Sequence, residues 1–118
     1  PANGRVISGF GGKGGASNDG INISLPEGTP VKAAESGTVA YAGSELKGYG
    51  NLVLIRHPNG YVTAYAHNGE LKVKRGDTVT RGQTIATSGQ SGNVSTPQLH
   101  FEIRKGSTPV DPLPHLGS

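Results

Sequence analysis

Short stretches of alternating apolar and polar residues run along this chain, separated by polar, glycine-rich breaks. Ile21, Ile23 and Leu25 are apolar, whereas Asn22 and Ser24 between them are polar. This period of two indicates a half-buried strand, because successive side chains of a strand point to opposite faces. We therefore expect the three apolar side chains to face the core, and Asn22 and Ser24 to face the other side.

Other strand signals follow in quick succession. Residues 51–57 have a continuous apolar centre, which indicates burial on both faces, and Asn59-Gly60 is a hairpin turn dipeptide that leads into residues 61–67. Glycine makes up 20 of the 118 residues, well above the usual ~7%. No stretch shows a sustained helical period. The chain is predicted to be all-β, a compact antiparallel sheet or sandwich of many short strands with little helix, forming one domain over residues 1–118.

Composition and charge exclude several classes of protein. The absence of cysteine rules out disulfides and thiolate metal sites. No apolar run approaches the roughly 20 residues of a membrane-spanning helix, so we expect no membrane span in this segment. The formal charge is +3, but no aromatic residues interleave with the basic ones near residues 72–81, which predicts a solvated basic face and no nucleic-acid partner. The chain starts without Met and without a signal peptide, so we interpret it as a domain excised from a longer protein.

Three short motifs carry the candidate chemistry: Asn18-Asp19-Gly20-Ile21-Asn22, Tyr65-Ala66-His67 and Gln98-Leu99-His100-Phe101-Glu102. They resemble the signatures of the LytM/lysostaphin-like M23 metallopeptidases, which cut peptidoglycan cross-bridges. The first signature of active members reads His-x-Gly-x-Asp and the last reads His-x-His. Glycine-containing segments at 28–31, 37–39, 48–51, 76–77 and 82–83 also fall in family order, so the resemblance covers roughly residues 5–113. It implies the M23, duplicated hybrid motif-like form of the all-β fold.

The metal chemistry of that family is largely missing here. Of the three zinc ligands that the resemblance implies, Asn18 and Asn22 replace two and only His100 remains, whereas a catalytic zinc needs three protein ligands and an open position. Asp19 is a possible substitute, but its position in the period-two pattern points it away. Of the two histidines implied in catalysis, His67 is kept and the other is Gln98, which cannot move a proton near neutral pH. We expect no metal, no cofactor and no enzymatic activity.

The resemblance is strongest to the degenerate LytM factors of Gram-negative cell division, the EnvC, NlpD and DipM types, which activate periplasmic amidases. It implies a domain of the periplasm or cell envelope that binds and activates N-acetylmuramoyl-L-alanine amidases through a disarmed groove, with peptidoglycan as a further candidate partner. The expected groove residues are Asn18, Asn22, Tyr49, Tyr65, His67, Gln98 and His100. His57 and His115 lie beside prolines and are interpreted as surface residues.

Three other functions remain to be weighed. A passive peptidoglycan-binding module would use the same groove without activating a hydrolase, and an active zinc endopeptidase would need an atypical metal site. A biotinyl- or lipoyl-like carrier domain has similar glycine-punctuated hairpins, but it needs a lysine at a hairpin tip, and the Asn59-Gly60 turn has none.

Overall fold

The alternating and apolar stretches of the sequence form strands, and the whole fold is antiparallel. A computed structural model describes residues 2, 4–11, 18–46 and 48–112. The strands are β1 (Arg5–Ser8), β2 (Ile21–Ser24), β3 (Pro30–Lys32), β4 (Gly37–Gly43), β5 (Asn51–Arg56), β6 (Tyr61–Leu71), β7 (Thr78–Val79), β8 (Thr84–Ser88), β9 (Gln98–Lys105) and β10 (Thr108–Val110). The described residues contain no helix, which confirms the prediction of an all-β fold.

One sheet contains all ten strands. Its main path runs β1-β2-β9-β6-β5-β4-β7, β10 pairs with β9, and β8 pairs with both β3 and β6. The hairpin predicted at Asn59-Gly60 joins β5 to β6, and Gly60 has a φ of 84°, which glycine adopts without strain. Strand β6 continues to Leu71, beyond the predicted end at His67, because its later residues pair with β8.

The main core lies on one face of the long strands. Ile21 is paired with Phe101, and Phe101 with Tyr65, so the three side chains share a face, and all are fully buried. Ile23 and Leu25 are buried in the same cluster, which confirms the facing predicted from their alternation with Asn22 and Ser24.

A second, smaller apolar cluster covers part of the opposite face. Leu52, Ala64 and Ala66 are its buried members, and Tyr49 is among the partly buried residues that pack on them. Since Val53 and Ile55 belong to the main core, β5 is buried on both faces, as its continuous apolar sequence predicts. The second cluster forms the floor beside which the candidate site lies.

Two predictions about histidines meet different outcomes. His57 was expected at the surface, and this is wrong, because it is 5% exposed. Its ring nitrogens lie 2.8 Å from the Ser36 carbonyl oxygen and 2.9 Å from Thr63 Oγ1, so the buried ring has its polar atoms satisfied. The prediction for His115 lies outside the described residues. Within the part of the chain that the structure describes, no helix is long and apolar enough to cross a membrane.

Candidate functional site

The candidate site lies on the face of the sheet opposite the main core. Asn22 of β2 is paired with His100 of β9, and His100 is paired on its other side with Ala66 of β6. Gln98 shares the face of His100 because it is two residues away on the same strand. The fold thus brings together residues that are far apart in the sequence, as the three motifs suggested.

The three amide side chains of the site are hydrogen-bonded to one another. Asn18 Nδ2 donates to Asn22 Oδ1 at 3.1 Å and also lies 3.0 Å from Ser8 Oγ. Asn22 Nδ2 donates to Gln98 Oε1 at 2.8 Å. Gln98 Nε2 in turn lies 3.2 Å from Thr96 Oγ1. The amides therefore satisfy each other and link β1, β2 and β9.

His100 continues this network toward a buried ion pair. Its Nδ1 lies 3.1 Å from Asn22 Oδ1 and its Nε2 lies 2.7 Å from Glu102 Oε2. Arg104 Nε donates to the other oxygen of Glu102 at 2.7 Å, and Arg104 Nη2 lies 3.5 Å from Asp19 Oδ2. Burial raises the pKa of Glu102, but the hydrogen bonds from His100 and Arg104 outweigh it, so the net pKa is lowered.

His67 enters the site through an unusual backbone conformation. Its φ of 66° makes it the one described residue other than glycine with positive φ, and the pairing of β6 with β5 and with β8 shifts in register beside it. The ring centroid of His67 lies 6.1 Å from that of His100. Burial lowers the pKa of His67, and the nearby His100 adds to this effect.

Ser91 holds His67 and two loops in place. The Ser91 carbonyl oxygen accepts a hydrogen bond from His67 Nδ1 at 2.9 Å, while Ser91 Oγ lies 3.0 Å from the backbone nitrogen of Asn51 and 2.5 Å from the Asn68 carbonyl oxygen. Gly92, the next residue, approaches Gly50 so closely that a Cβ on either would collide with the other's loop. The sequence analysis missed Ser91, since no pattern links it to partners 23 to 40 residues away.

Glu102 and Arg104 were also missed as site residues, although a signal for them exists. Both follow His100 at intervals of two along β9, so the strand period places all three on one face. Glu102 is almost fully buried on that face, and a buried carboxylate requires partners of this kind.

Tyr49 and Tyr65 have different environments, although both were expected in the groove. Tyr49 is half-buried, and its ring centroid lies 6.2 Å from that of His100. Burial, together with the charge of Glu102, raises its pKa. Tyr65 is instead 0% exposed in the main core, where its ring packs on Phe101 and its hydroxyl accepts a hydrogen bond from the Ala34 backbone nitrogen at 3.0 Å. The prediction for Tyr65 is therefore wrong, because the strand directs it to the core face.

The donor set of the site does not fit a catalytic zinc. Among the described residues, no group of three or more His, Cys, Asp or Glu side chains is arranged to hold a metal ion. Asn18 and Asn22 offer neutral amide oxygens, and both nitrogens of His100 already contact oxygen atoms of the protein. A tetrahedral zinc site requires imidazole, thiolate or carboxylate ligands with free electron pairs.

Sequence comparison assigns the family. The model of peptidase family M23 matches residues 16–112, and the chain belongs to this family. The catalytic domain of the antimicrobial peptidase lysostaphin from Staphylococcus simulans has the same fold, with a TM-score of 0.88 and 35% identity over 98% of this chain and 93% of that domain.

Two curated relatives are closer in sequence. The chain is 48% identical to the cell division protein DipM of Caulobacter vibrioides, over 95% of this chain and 20% of that protein. It is 46% identical to the murein hydrolase activator NlpD of Escherichia coli, over 98% of this chain and 30% of that protein. The chain therefore spans less than a third of the length of either relative.

Proposed function

We propose that this domain is a catalytically inactive regulator that binds and activates peptidoglycan hydrolases, specifically N-acetylmuramoyl-L-alanine amidases, during cell division and cell-wall remodelling. The observation that carries the proposal is the network of Asn18, Asn22 and Gln98, in which amides bonded to one another stand where the family's peptidases have metal-site and catalytic side chains. The relatives named as murein hydrolase activators support a regulatory role.

The same relatives support a location in the cell envelope. Relatives from Escherichia coli and Pseudomonas aeruginosa are named lipoproteins, and the NlpD proteins are named activators of murein hydrolases. The domain acts in the periplasm or cell envelope of a Gram-negative bacterium, where both peptidoglycan and its hydrolases are within reach.

Activation requires that the groove bind one state of the hydrolase better than another. A coupling free energy of about 1–3 kcal/mol is typical of such regulation and corresponds to a roughly 5- to 150-fold preference for one state of the hydrolase over the other. The groove offers Tyr49 as a large, half-buried aromatic contact beside polar groups, and aromatic residues of this kind dominate binding energy at many interfaces. The partner segment would lie along Tyr49, His67 and His100, with the amide network as one wall.

The test adds the domain to a quiescent amidase and follows dye release from labelled sacculi. The wild-type chain should stimulate dye release by the amidase, and without the amidase the chain should release no dye. Arg75→Ala, a change in an exposed turn, should stimulate as well as the wild type. Dye release by the chain alone would favour an active peptidase. Binding to sacculi without stimulation of any amidase or other wall hydrolase would replace the regulator by a passive wall-binding module.

A further inference from the structure

Most polar side-chain atoms of the groove already have partners within the protein. Asn18 donates to Asn22, Asn22 donates to Gln98, and His100 lies between Asn22 and Glu102. A binding partner that used these atoms would have to replace existing hydrogen bonds, which yields little net free energy. The polar contacts that discriminate between partners must therefore come from atoms that are still free.

The second ring nitrogen of His67 is such an atom. His67 Nδ1 lies 2.9 Å from the Ser91 carbonyl oxygen, and because a carbonyl only accepts, Nδ1 carries the hydrogen. In the neutral ring, Nε2 then has a free lone pair. No described residue forms a hydrogen bond with it, and Asn68 Oδ1 is the one fully buried side-chain polar atom in the described residues without a partner, so Nε2 keeps some exposure although His67 as a whole is only 6% exposed.

The position of this acceptor is fixed by the backbone. A histidine at a φ of 66° occupies the left-handed region, which costs free energy for a residue with a Cβ. The conformation is held by two contacts, because the His67 backbone nitrogen donates to the Tyr49 carbonyl oxygen at 2.9 Å and its ring donates to Ser91. A strand with ordinary alternation would direct His67 to the same face as Tyr65, which is the core. The left-handed turn instead brings its ring beside His100.

We propose that His67 Nε2 is the specificity-determining acceptor of the groove, so that a bound segment must present an N–H or O–H donor to it. This inference rests on the proposed function, in which the groove receives a segment of a wall hydrolase. As long as the ring stays neutral, a segment with a carboxylate at the same place would bring two acceptors together and bind poorly. A bound segment without a donor would bury His67 Nε2 and leave it unpaired, at the full cost of its desolvation. Such segments are therefore discriminated against.

The tautomer of His67 gives a first test that needs no partner. Side-chain ¹⁵N correlation spectra of the chain at pH 7 should show His67 protonated at Nδ1 and unprotonated at Nε2. Titration with blocked dipeptides should then shift the Nε2 resonance more when the dipeptide carries Lys or Ser than when it carries Asp, whose only donors are the backbone N–H groups that all the dipeptides share. The opposite tautomer, no response to the donor dipeptides, or an equal response to Asp would each overturn the proposal.

The second test measures the affinity of the chain for an amidase that it stimulates. His67→Asn keeps a donor for Ser91, and Asn tolerates positive φ better than most residues, but it has no acceptor at the position of Nε2. Binding should weaken roughly tenfold, the effect of one lost hydrogen bond in an interface, with an unchanged melting temperature. Arg75→Ala, a change in an exposed turn outside the groove, is the control and should bind like the wild type.

The two tests separate failure of this inference from failure of the proposed function. Equal affinity of His67→Asn and the wild type for a stimulated amidase would overturn the role of Nε2 and leave the regulator intact. If no wall amidase binds the wild-type chain, the proposed function fails, and the dipeptide titration alone decides whether His67 selects a donor.

Discussion

His100 Nε2 lies 2.7 Å from Glu102 Oε2, the contact by which many proteins orient a histidine that binds a metal. In this chain, however, the opposite nitrogen of His100 meets the side-chain oxygen of Asn22. The carboxylate that would support a metal ligand is thus retained, while the ligands that would complete the site are amides. Zinc binding by the site and the contribution of Glu102 to stability can therefore be tested separately.

Removing metal should leave the stability of the chain unchanged. The side chains at positions 18, 22 and 100 are tied to each other by hydrogen bonds rather than through an ion. Dialysis against a chelator should therefore not alter the melting temperature measured by scanning fluorimetry, and added zinc should have no effect. A fall of several degrees that zinc reverses would show a metal site that contributes to folding.

Restoring the missing side chains should restore zinc binding. In the triple variant Asn18→His, Asn22→Asp, Gln98→His, position 22 gains a carboxylate beside His100, whose orientation by Glu102 is already in place. We expect zinc binding, measured by competition with a chromophoric chelator, to appear before any peptidase activity. Adding His100→Ala to the triple variant is the control and should abolish it. Equal zinc uptake with and without His100 would show that the metal binds elsewhere.

Glu102→Gln should destabilise the fold at neutral pH. The buried carboxylate accepts hydrogen bonds from His100 and Arg104, and hydrogen bonds to charged groups contribute about 1.5–3 kcal/mol. The free energy of unfolding measured by urea titration at pH 7 should fall by about 2 kcal/mol. Glu70→Gln removes the partner of Lys72 in an exposed ion pair and is the matched control, so the urea midpoint should not move.

The effect of Glu102→Gln should also depend on pH in a defined direction. The pKa of Glu102 is lower in the folded protein than its ordinary value, so its ion pairs stabilise the fold above the unfolded pKa of about 4.3. That contribution is lost as the pH falls through the folded pKa. The difference in stability between wild type and variant should therefore shrink below about pH 4. A difference that stays constant down to pH 3 would mean that the charge of Glu102 contributes nothing.

Local sequence patterns predicted the fold well because they depend on neighbours in the chain. The alternation of Ile21 to Leu25 fixed which residues face the core, and Asn22 consequently faces the site. His100 and Gln98 were likewise predicted on one face, because they are two residues apart on the same strand. These features need only strand geometry and the order of residues.

Tyr65 and His67 show where that reasoning fails. They are two residues apart, so strand periodicity places them on one face, and both were expected in the groove. In the structure Tyr65 lies in the core, whereas the left-handed φ of His67 directs its ring to the groove. No sequence pattern predicts a left-handed conformation at a residue other than glycine here. The burial of His57 was missed for a related reason, since its partner Ser36 is 21 residues away.

Tyr65→Phe should lower stability without affecting the groove. The change removes the hydroxyl that accepts a hydrogen bond from the Ala34 backbone nitrogen and contacts Thr63 Oγ1. Ala34 is only partly buried, so each of the two lost hydrogen bonds should cost about 0.5–1.5 kcal/mol, and the free energy of unfolding should drop by about 1–3 kcal/mol. The control is Tyr41→Phe, whose lost contact is with the exposed loop residue Glu45 and should cost less. An equal decrease in the free energy of unfolding of the two variants would show that the hydrogen bonds of the Tyr65 hydroxyl contribute no more than the exposed one of Tyr41.

The contrast between Tyr49 and Tyr65 gives the sharpest prediction about the binding face. Tyr49 is half-buried beside His100 and stands on the second apolar cluster, so Tyr49→Ala removes a large aromatic surface from the groove while the main core stays intact. Truncation of such a contact typically costs about 2 kcal/mol or more in binding, which corresponds to roughly a thirtyfold weaker affinity. Affinity for a stimulated amidase, measured by calorimetry, should fall to that extent in Tyr49→Ala and remain at the wild-type value in Tyr65→Phe, provided that both variants are measured well below their melting temperatures. The reverse result, with Tyr49→Ala binding normally and Tyr65→Phe binding weakly, would place the activating surface on the other side of the sheet.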